Sequence, residues 1–277
     1  MWRWLWWSWL LVPLSPQAAG QGYSFCPVTQ RSPVLTAQYW NPILDEVSRR
    51  AGVTLSLKVA ATGDQSSDAT VRGECDLVFS NHQFKPSAAI RGYAVILRPK
   101  APAISGQIVT LDDSPIRTLS DLDGKTVGFA NPQAFAGYTV PMDQLVRKGI
   151  RVDAVFGGSQ EGIMAQLMAG SVIAAGVNGA IMRDFAAREK LRYRVLWQSR
   201  SYPDLAISVH PRVRRSEVDG VRRAFASMAT DAAGMAILEA SAKLIKQSPP
   251  YGFLPATQRD YQGYLEFYRH SVFKGAQ

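Results

Sequence analysis

Cysteine and histidine are scarce in this chain, two of the first and three of the second among 277 residues. Cys26 and Cys75 stand far from His82, His210 and His270, with none of the short spacings by which such ligands close around a metal ion, so no metal site is expected. The common enzyme signatures are missing too: there is no G-x-S-x-G elbow, no Walker loop and no H-E-x-x-H pair. Paired acids such as Asp112-Asp113 sit beside a turn and read as solvated, so no catalytic residue is assigned and no cofactor is expected. Repeats and low-complexity segments are absent, and beyond the N-terminus no apolar run approaches the roughly 20 residues a membrane helix needs. These absences argue against a metalloprotein, a familiar hydrolase or nucleotidase, a solenoid and an integral membrane protein.

The first twenty residues, MWRWLWWSWLLVPLSPQAAG, hold one positive charge at Arg3, an apolar centre of Trp and Leu, the helix-breaking Pro13 and a small-residue end. That order is the order of a secretory leader spanning 1–20, cut after Gly20 or alternatively after Ala19. No cysteine follows closely enough to carry a lipid, so the expected product is the free chain 21–277, long enough for two lobes. The formal net charge of +9 becomes +8 when Arg3 leaves, which favours anionic partners through long-range attraction. The basic residues are scattered, at Arg49-Arg50, Arg212, Arg214-Arg215 and Arg222-Arg223, and are not interleaved with aromatics. Nucleic acid is therefore not an expected partner. In an oxidising compartment Cys26 and Cys75 either bridge neighbouring strands or pack as two separate thiols, and the sequence leaves both open.

Strand and helix patterns alternate along the rest of the chain, the signature of an α/β architecture with parallel sheets. Residues 23–28 read as a first strand and 38–51 as an amphipathic helix, with Trp40, Ile43, Leu44 and Val47 on one face and Gly52 as its stop. A second strand is expected at 53–60, whereas the polar segment 62–73 lacks the apolar stripe of a packed helix. Strands at 76–80, 93–97 and 108–111 follow, and Pro99, Pro102 and Gly106 punctuate a crossing between lobes. Further strands are predicted at 126–130, 152–156, 173–177 and 193–197, with helices at 160–169 and 180–190. Beyond Pro203 come a strand at 206–209 and one long helix over 216–239.

Residues 113–141 are the most informative stretch. An apolar strand is stopped by Asn131-Pro132, and a helix start within 134–138 leaves backbone N–H groups without intrahelical partners, a ready place for an anion. Ser114-Pro115-Ile116, Leu119, Asp121-Leu122, Gly124-Lys125, Phe129, Pro132, Gly137-Tyr138 and Val140-Pro141 match one family pattern. The segment resembles D-S-P-I-x-x-L-x-D-L-x-G-K-x-x-x-F-x-D-P-x-S-T-S-G-Y-x-V-P of the PhnD-like phosphate, phosphite and phosphonate receptors of ABC importers. The tail Tyr251-Gly-Phe-Leu-Pro255 and residues 195–209 are similar to the same family. The resemblance implies an α/β, two-lobed periplasmic binding protein of type 2. Each lobe would be a mostly parallel sheet flanked by helices, the two joined by a two-stranded hinge. Lobe 1 would comprise 21–107 and 204–277, and lobe 2 residues 108–203.

It also implies a ligand between the lobes, at the C-terminal ends of parallel strands. The candidates there are Ser80, Asn81 and His82 after the third strand, and Ala134, Phe135, Ala136, Gly137 and Tyr138 at the helix start. Gln160 stands where the family has a phosphonate-contacting His, Asn178 where it has the residue meeting the ligand's amine, and Asp204 matches an Asp that receives an amine or steadies the hinge. The chain departs from the pattern at its centre, where Ser-Thr-Ser becomes Ala134-Phe135-Ala136. Losing two or three hydroxyl bonds to a charged oxygen, at roughly 1.5–3 kcal/mol each, weakens phosphonate capture by several orders of magnitude. Phe135 is expected to narrow or cover the oxyanion pocket. The implied protein is a monomeric periplasmic receptor that binds a small anionic or polar solute and passes it to an inner-membrane ABC permease. The alternative is a sensing or adaptor subunit of the same fold, acting with a histidine kinase or another envelope partner.

Overall fold

The computed structural model describes residues 22–276, so the leader expected at 1–20 lies outside the described residues. The chain opens with β1 (Gly22–Pro27), α1 (Pro33–Ala51), β2 (Thr54–Leu57), α2 (Gly63–Arg72), β3 (Leu77–Ser80), α3 (Pro86–Ala89) and β4 (Ala94–Pro99). It crosses to β5 (Gly106–Leu111), β6 (Lys125–Phe129), α4 (Val140–Arg147), β7 (Val152–Phe156), α5 (Gln160–Met168), β8 (Ala174–Asn178), α6 (Gly179–Glu189) and β9 (Tyr193–Gln198). It then returns to β10 (Ala206–Val209), α7 (Arg215–Ser227), α8 (Ala232–Leu244), β11 (Phe253–Pro255) and α9 (Gln262–His270).

The outer parts of the chain share a six-stranded sheet in the order β11-β4-β10-β3-β1-β2, and the middle supplies a five-stranded sheet in the order β7-β6-β8-β5-β9. β1 runs parallel to β2 and β3, and β6 parallel to β7 and β8. Antiparallel strands are inserted in both sheets, β10 between β3 and β4 and β5 between β8 and β9, and β11 at the edge of the first sheet also opposes β4. Two links join the halves, residues 100–105 and 199–205. Ile104 and Tyr202 pair across them, each N–H donating to the other's C=O at 2.8 Å, so the hinge is two-stranded.

Local signals account for most elements. In α1, Pro33 at the first turn, the Ser32 hydroxyl accepting from the Leu35 N–H and Gly52 at φ 69° fix the ends, while Trp40, Ile43, Leu44 and Val47 bury one face. α2 corrects the expectation for 62–73. It has no apolar stripe and is a helix nonetheless, because Thr62 and Gly73 cap it and the face it buries is Ser66, Ser67 and Thr70, with Thr70 bonding back to the Ser66 carbonyl. The single long helix expected over 216–239 is two. Asp231 starts α8 by accepting the Gly234 N–H at 2.8 Å, and a Cβ at Gly234 would collide with Met228, so the chain must turn there. α9 was not expected from the sequence at all.

Each sheet has its own apolar core, lobe 1 around Phe25, Trp40, Phe225 and Phe253 and lobe 2 on both faces of β6 and β8. A further cluster belongs to neither. It joins Phe84, Val95 and Ala206 from lobe 1, Ile104 and Tyr202 from the hinge, Phe135 and Val140 from lobe 2, and Tyr261, Tyr264 and Tyr268 from the C-terminal segment. That segment also reaches lobe 2 through Asp143 of α4, whose Oδ1 accepts from the Ser271 hydroxyl and Val272 N–H at 2.7 Å and from the Phe273 N–H at 3.2 Å. Arg147 donates to the His270 carbonyl beside it. Burial pushes the Asp143 carboxyl up, but the Ser271, Arg147, Val272 and Phe273 bonds together outweigh it and hold its pKa below the usual range.

Cys26 and Cys75 form a disulfide, their Cα atoms 6.1 Å apart, which decides between the two alternatives above. The parallel pairing of β1 with β3, Cys26 opposite Val78, brings them together. Cross-linking residues 49 apart removes loop entropy worth about 4 kcal/mol from the unfolded chain. Replacing both cysteines by alanine is expected to lower unfolding stability in urea by about that amount; an unchanged midpoint would contradict the bridge.

Candidate functional site

The C-terminal edge of the lobe 2 sheet is assembled from three turns. After β6, Asn131 accepts the Gln133 N–H with its side chain at 2.9 Å and the Ala134 N–H with its carbonyl at 3.1 Å. A π-helical turn, Phe135–Thr139, then leads into α4, its first bond running from the Thr139 N–H to the Ala134 C=O at 3.0 Å. The N–H groups of Phe135, Ala136, Gly137 and Tyr138 precede that bond, so the wide register leaves four donors ahead of the ladder. Gly137 lets the Gln160 amide pack against the backbone of the turn, since a Cβ there would push that amide aside.

Gln160 opens α5, and its Oε1 accepts the Asn178 N–H at 3.0 Å. Asn178 ends β8 and caps α6, its Oδ1 taking the Ala180 N–H at 3.0 Å. Both amide oxygens are thus used locally, and the two NH2 groups make no hydrogen bond among the described residues. Beside them Gln107 lies against Gly179 and donates to Gln198 at 2.7 Å, while its own Oε1 is buried without a partner. Gly137, Gln160 and Asn178, named from sequence, therefore meet in one place, joined by Gln107.

The other residues of the helix start serve packing. Phe135 is 3% exposed, its ring 4.4 Å from Tyr264, 4.9 Å from Tyr202, 5.1 Å from Phe267 and 5.8 Å from Tyr268. The sequence suggested a cover over an oxyanion pocket; α9 and the hinge instead give the ring an apolar seat. Tyr138 stands edge-on to Phe129 and Phe156, both at 5.1 Å, and burial raises its pKa. Ala134 spends its carbonyl on Thr139, and Ala136 is buried with its carbonyl against Gly106.

On lobe 1 the residues after β3 are buried. The Ser80 hydroxyl accepts the His82 N–H at 3.0 Å, and Gln83 donates to the Ser80 carbonyl and the Ser208 hydroxyl, both at 3.0 Å. Asn81 is buried beside Tyr264. His82 is 2% exposed, and its Nδ1 has no partner. Burial and then the Lys85 charge push its pKa down to about 3, against a bond with the Gln133 backbone, so the imidazole is neutral. Asp204 gives Oδ1 to the Leu205 N–H at 2.8 Å, and burial raises its pKa against that bond and the charge of Arg31. The carbonyls of Pro203 and Asp204 accept the hydroxyls of Tyr264 and Tyr261 at 2.8 Å, which fixes the hinge link to α9.

The two edges touch. Gln133 of lobe 2 donates to Asp64 Oδ1 at 2.9 Å and accepts from Lys85, which also donates to Ser67 at 3.0 Å. Burial lowers the Lys85 pKa to about 8, with Asp64 and Asp68 pulling the other way. Lys85, Gln133 and Arg31 were not named from sequence. Arg31 follows a strand end and Lys85 the turn after β3, so charge beside a strand terminus was the available signal.

Residues 25–261 match the model of the family described as ABC transporter, phosphonate, periplasmic substrate-binding protein. The chain belongs to that family. No curated protein matches it by sequence. Among solved structures it is similar to a Xanthomonas citri protein bound to chloride ion, with 18% identity, TM-score 0.73 and coverage of 90% of this chain and 97% of that one. A Pseudomonas aeruginosa binding protein component of an ABC phosphonate transporter gives 16%, 0.71, and 90% and 87%. PhnD1 of Prochlorococcus marinus in complex with methylphosphonate gives 13%, 0.72, and 90% and 97%. At such identities the likeness is one of fold, and it is that of two-lobed type 2 binding proteins. Among the described residues of this phosphonate-family chain, no helix is long and apolar enough to cross a membrane.

Two measurements check the site's supports. Phe135→Ala empties the aromatic seat and is expected to cost about 3–5 kcal/mol in chemical denaturation; a loss near zero would mean the ring is not held there. The second is read from pH. His82 has an ordinary pKa of 6.5 that falls to about 3 in the fold, so the unfolded chain binds more protons between those values and stability drops as pH falls through 6.5. Between about pH 6.5 and 5, above the carboxylate range, the drop is about 1.5 kcal/mol, and His82→Gln is expected to remove that slope.

Proposed function

We propose that this protein is the solute receptor of an ABC importer, closing two lobes around a small anionic or polar solute and delivering it to an inner-membrane permease. The lobes are taken as 21–107 with 204–277, and 108–203, and the protein as a monomer exported by a cleavable leader at 1–20. The family match supports the role. The observation that carries the site is the meeting of the two sheet edges. Gln133 bridges Lys85 and Asp64 across them, and the same lobe 2 edge carries the NH2 groups of Gln160 and Asn178 and the N–H groups that open the π-helical turn.

Donors outnumber acceptors on the lobe 2 edge, which suits a ligand rich in oxygen. The hydroxyls that would ring a phosphonate are missing at 134–136, where Ala-Phe-Ala stands. The reading is therefore of a receptor whose solute is not a tightly held phosphonate. A thermal-shift screen with phosphate, phosphite, methylphosphonate, 2-aminoethylphosphonate, arsenite and small carboxylates tests it, since binding to the folded form raises the midpoint by mass action. At least one solute is expected to raise the midpoint, with phosphate and methylphosphonate weaker than about micromolar. Submicromolar methylphosphonate binding would overturn the altered-pocket reading.

A further inference from the structure

The loop after β6 is set before it reaches the other half. Pro132 fixes its own φ, the Asn131 side chain accepts the Gln133 N–H at 2.9 Å, and the Asn131 carbonyl accepts the Ala134 N–H at 3.1 Å. Gln133 is thus presented from a braced turn, two residues ahead of the anchored Phe135 ring. Facing it is the start of α2, where the Thr62 hydroxyl accepts the Gln65 N–H at 3.2 Å and the Gln65 side chain accepts the Ala61 N–H at 3.1 Å. Gly63 runs close to the lobe 2 loop, for a Cβ there would lie 3.6 Å from the Asn131 side-chain oxygen. Lys85 joins the turn after β3 to α3, its N–H donating to the His82 carbonyl at 3.1 Å and its carbonyl accepting from Ala88 and Ala89 at 3.0 and 3.2 Å.

One lobe 2 residue is keyed to all three of these lobe 1 elements. The Gln133 Oε1 accepts from the Lys85 ammonium, its Nε2 donates to Asp64 Oδ1 at 2.9 Å, and the His82 ring bonds to its backbone. Both side-chain bonds have a charged partner, which makes them the stronger class of hydrogen bond. Lys85 makes no ion pair among the described residues. Its ammonium is divided between the Ser67 hydroxyl at 3.0 Å and Gln133, one neutral acceptor from each half. Parting the halves therefore takes away one of the two acceptors of a half-buried cation. It also loosens α2, which buries hydroxyls instead of an apolar stripe and so depends heavily on such polar contacts for its seat. Behind Gln133, Phe135 shares one apolar cluster with Phe84 and Val95 of lobe 1. Each of these contacts joins two groups of this chain, so none requires a solute to form.

We propose that the protein rests closed without solute, with the Gln133 side chain as the latch between its halves. Closure is then the default state, and a solute enters through a transient opening in which Gln133 lets go of Lys85 and Asp64. This goes beyond the receptor reading and does not depend on which solute is carried.

Amide hydrogen exchange on the purified protein, with no solute added, tests the latch through a change in one half that is read in the other. Gln133→Ala alters only the lobe 2 loop, yet exchange through α2 is expected to rise by about 10-fold, with α8 unchanged as the control for folding. The reciprocal change, Asp64→Ala at an exposed site of lobe 1, is expected to speed exchange of the Gln133 and Ala134 amides by about 3-fold. Small-angle scattering of the unaltered protein is expected to fit the closed arrangement, and Gln133→Ala to enlarge the radius of gyration. Should Gln133→Ala loosen α8 as well, the reciprocal change and the scattering of the unaltered protein decide. Scattering that fits only parted halves, or exchange that neither substitution alters across the seam, would overturn the latch while the receptor reading stands. A solute screen without any response would count against the receptor reading and leave the latch in place.

Discussion

Phe135 and the rings around it hold the arrangement together. The ring comes from lobe 2, Tyr202 from the hinge, and Tyr264, Phe267 and Tyr268 from the C-terminal helix, which are far apart in sequence. Burying an aromatic side chain against such partners is worth several kcal/mol, more than any single hydrogen bond at the seam supplies. The same contact sets the position of the π-helical turn, because Phe135 is its first residue. It also sets the hinge links, since Tyr261 and Tyr264 hold the carbonyls of Asp204 and Pro203. A family position that elsewhere offers a hydroxyl has here become a structural anchor.

Chemistry at the crevice shifts accordingly. With no hydroxyls at 134–136, the donors on the lobe 2 edge are main-chain N–H groups and the amides of Gln160 and Asn178, none of which carries charge. Charge comes from Arg31, Lys85 and Asp204 on lobe 1 and the hinge, and from Glu161 in the first turn of α5. His82 adds none, because burial keeps it neutral.

Much of the fold could be read from the residues themselves. Trp40, Ile43, Leu44 and Val47 recur at helical spacing and all are buried, and the strand at 206–209 falls where β10 does. The two-lobed plan came through the matched positions between Ser114 and Pro141 rather than through periodicity. What escaped reading has physical causes. α2 buries hydroxyls, so hydrophobic patterning is blind to it, and the break at Asp231 is a capping event inside a pattern that stays helical on both sides. The seat of Phe135 depends on α9, well over a hundred residues away, and no local window contains that contact. That Gly137, Gln160 and Asn178 come together was legible because they follow strands in a known order. Arg31, Lys85 and Gln133 were not, because their significance lies in what they face across the seam.

The C-terminal segment gives the molecule a third crossing between its halves. Beyond the two hinge links, residues 271–273 are tied to Asp143 of α4 by three hydrogen bonds, with Arg147 clasping the carbonyl just before them. Two adjacent strands permit both bending and twisting, but a tether set off their axis resists rotation about it. Any relative motion of the halves would have to strain or break the bonds to Asp143 and Arg147. In this protein the halves are held together by residues 271–273 as much as by the two hinge links.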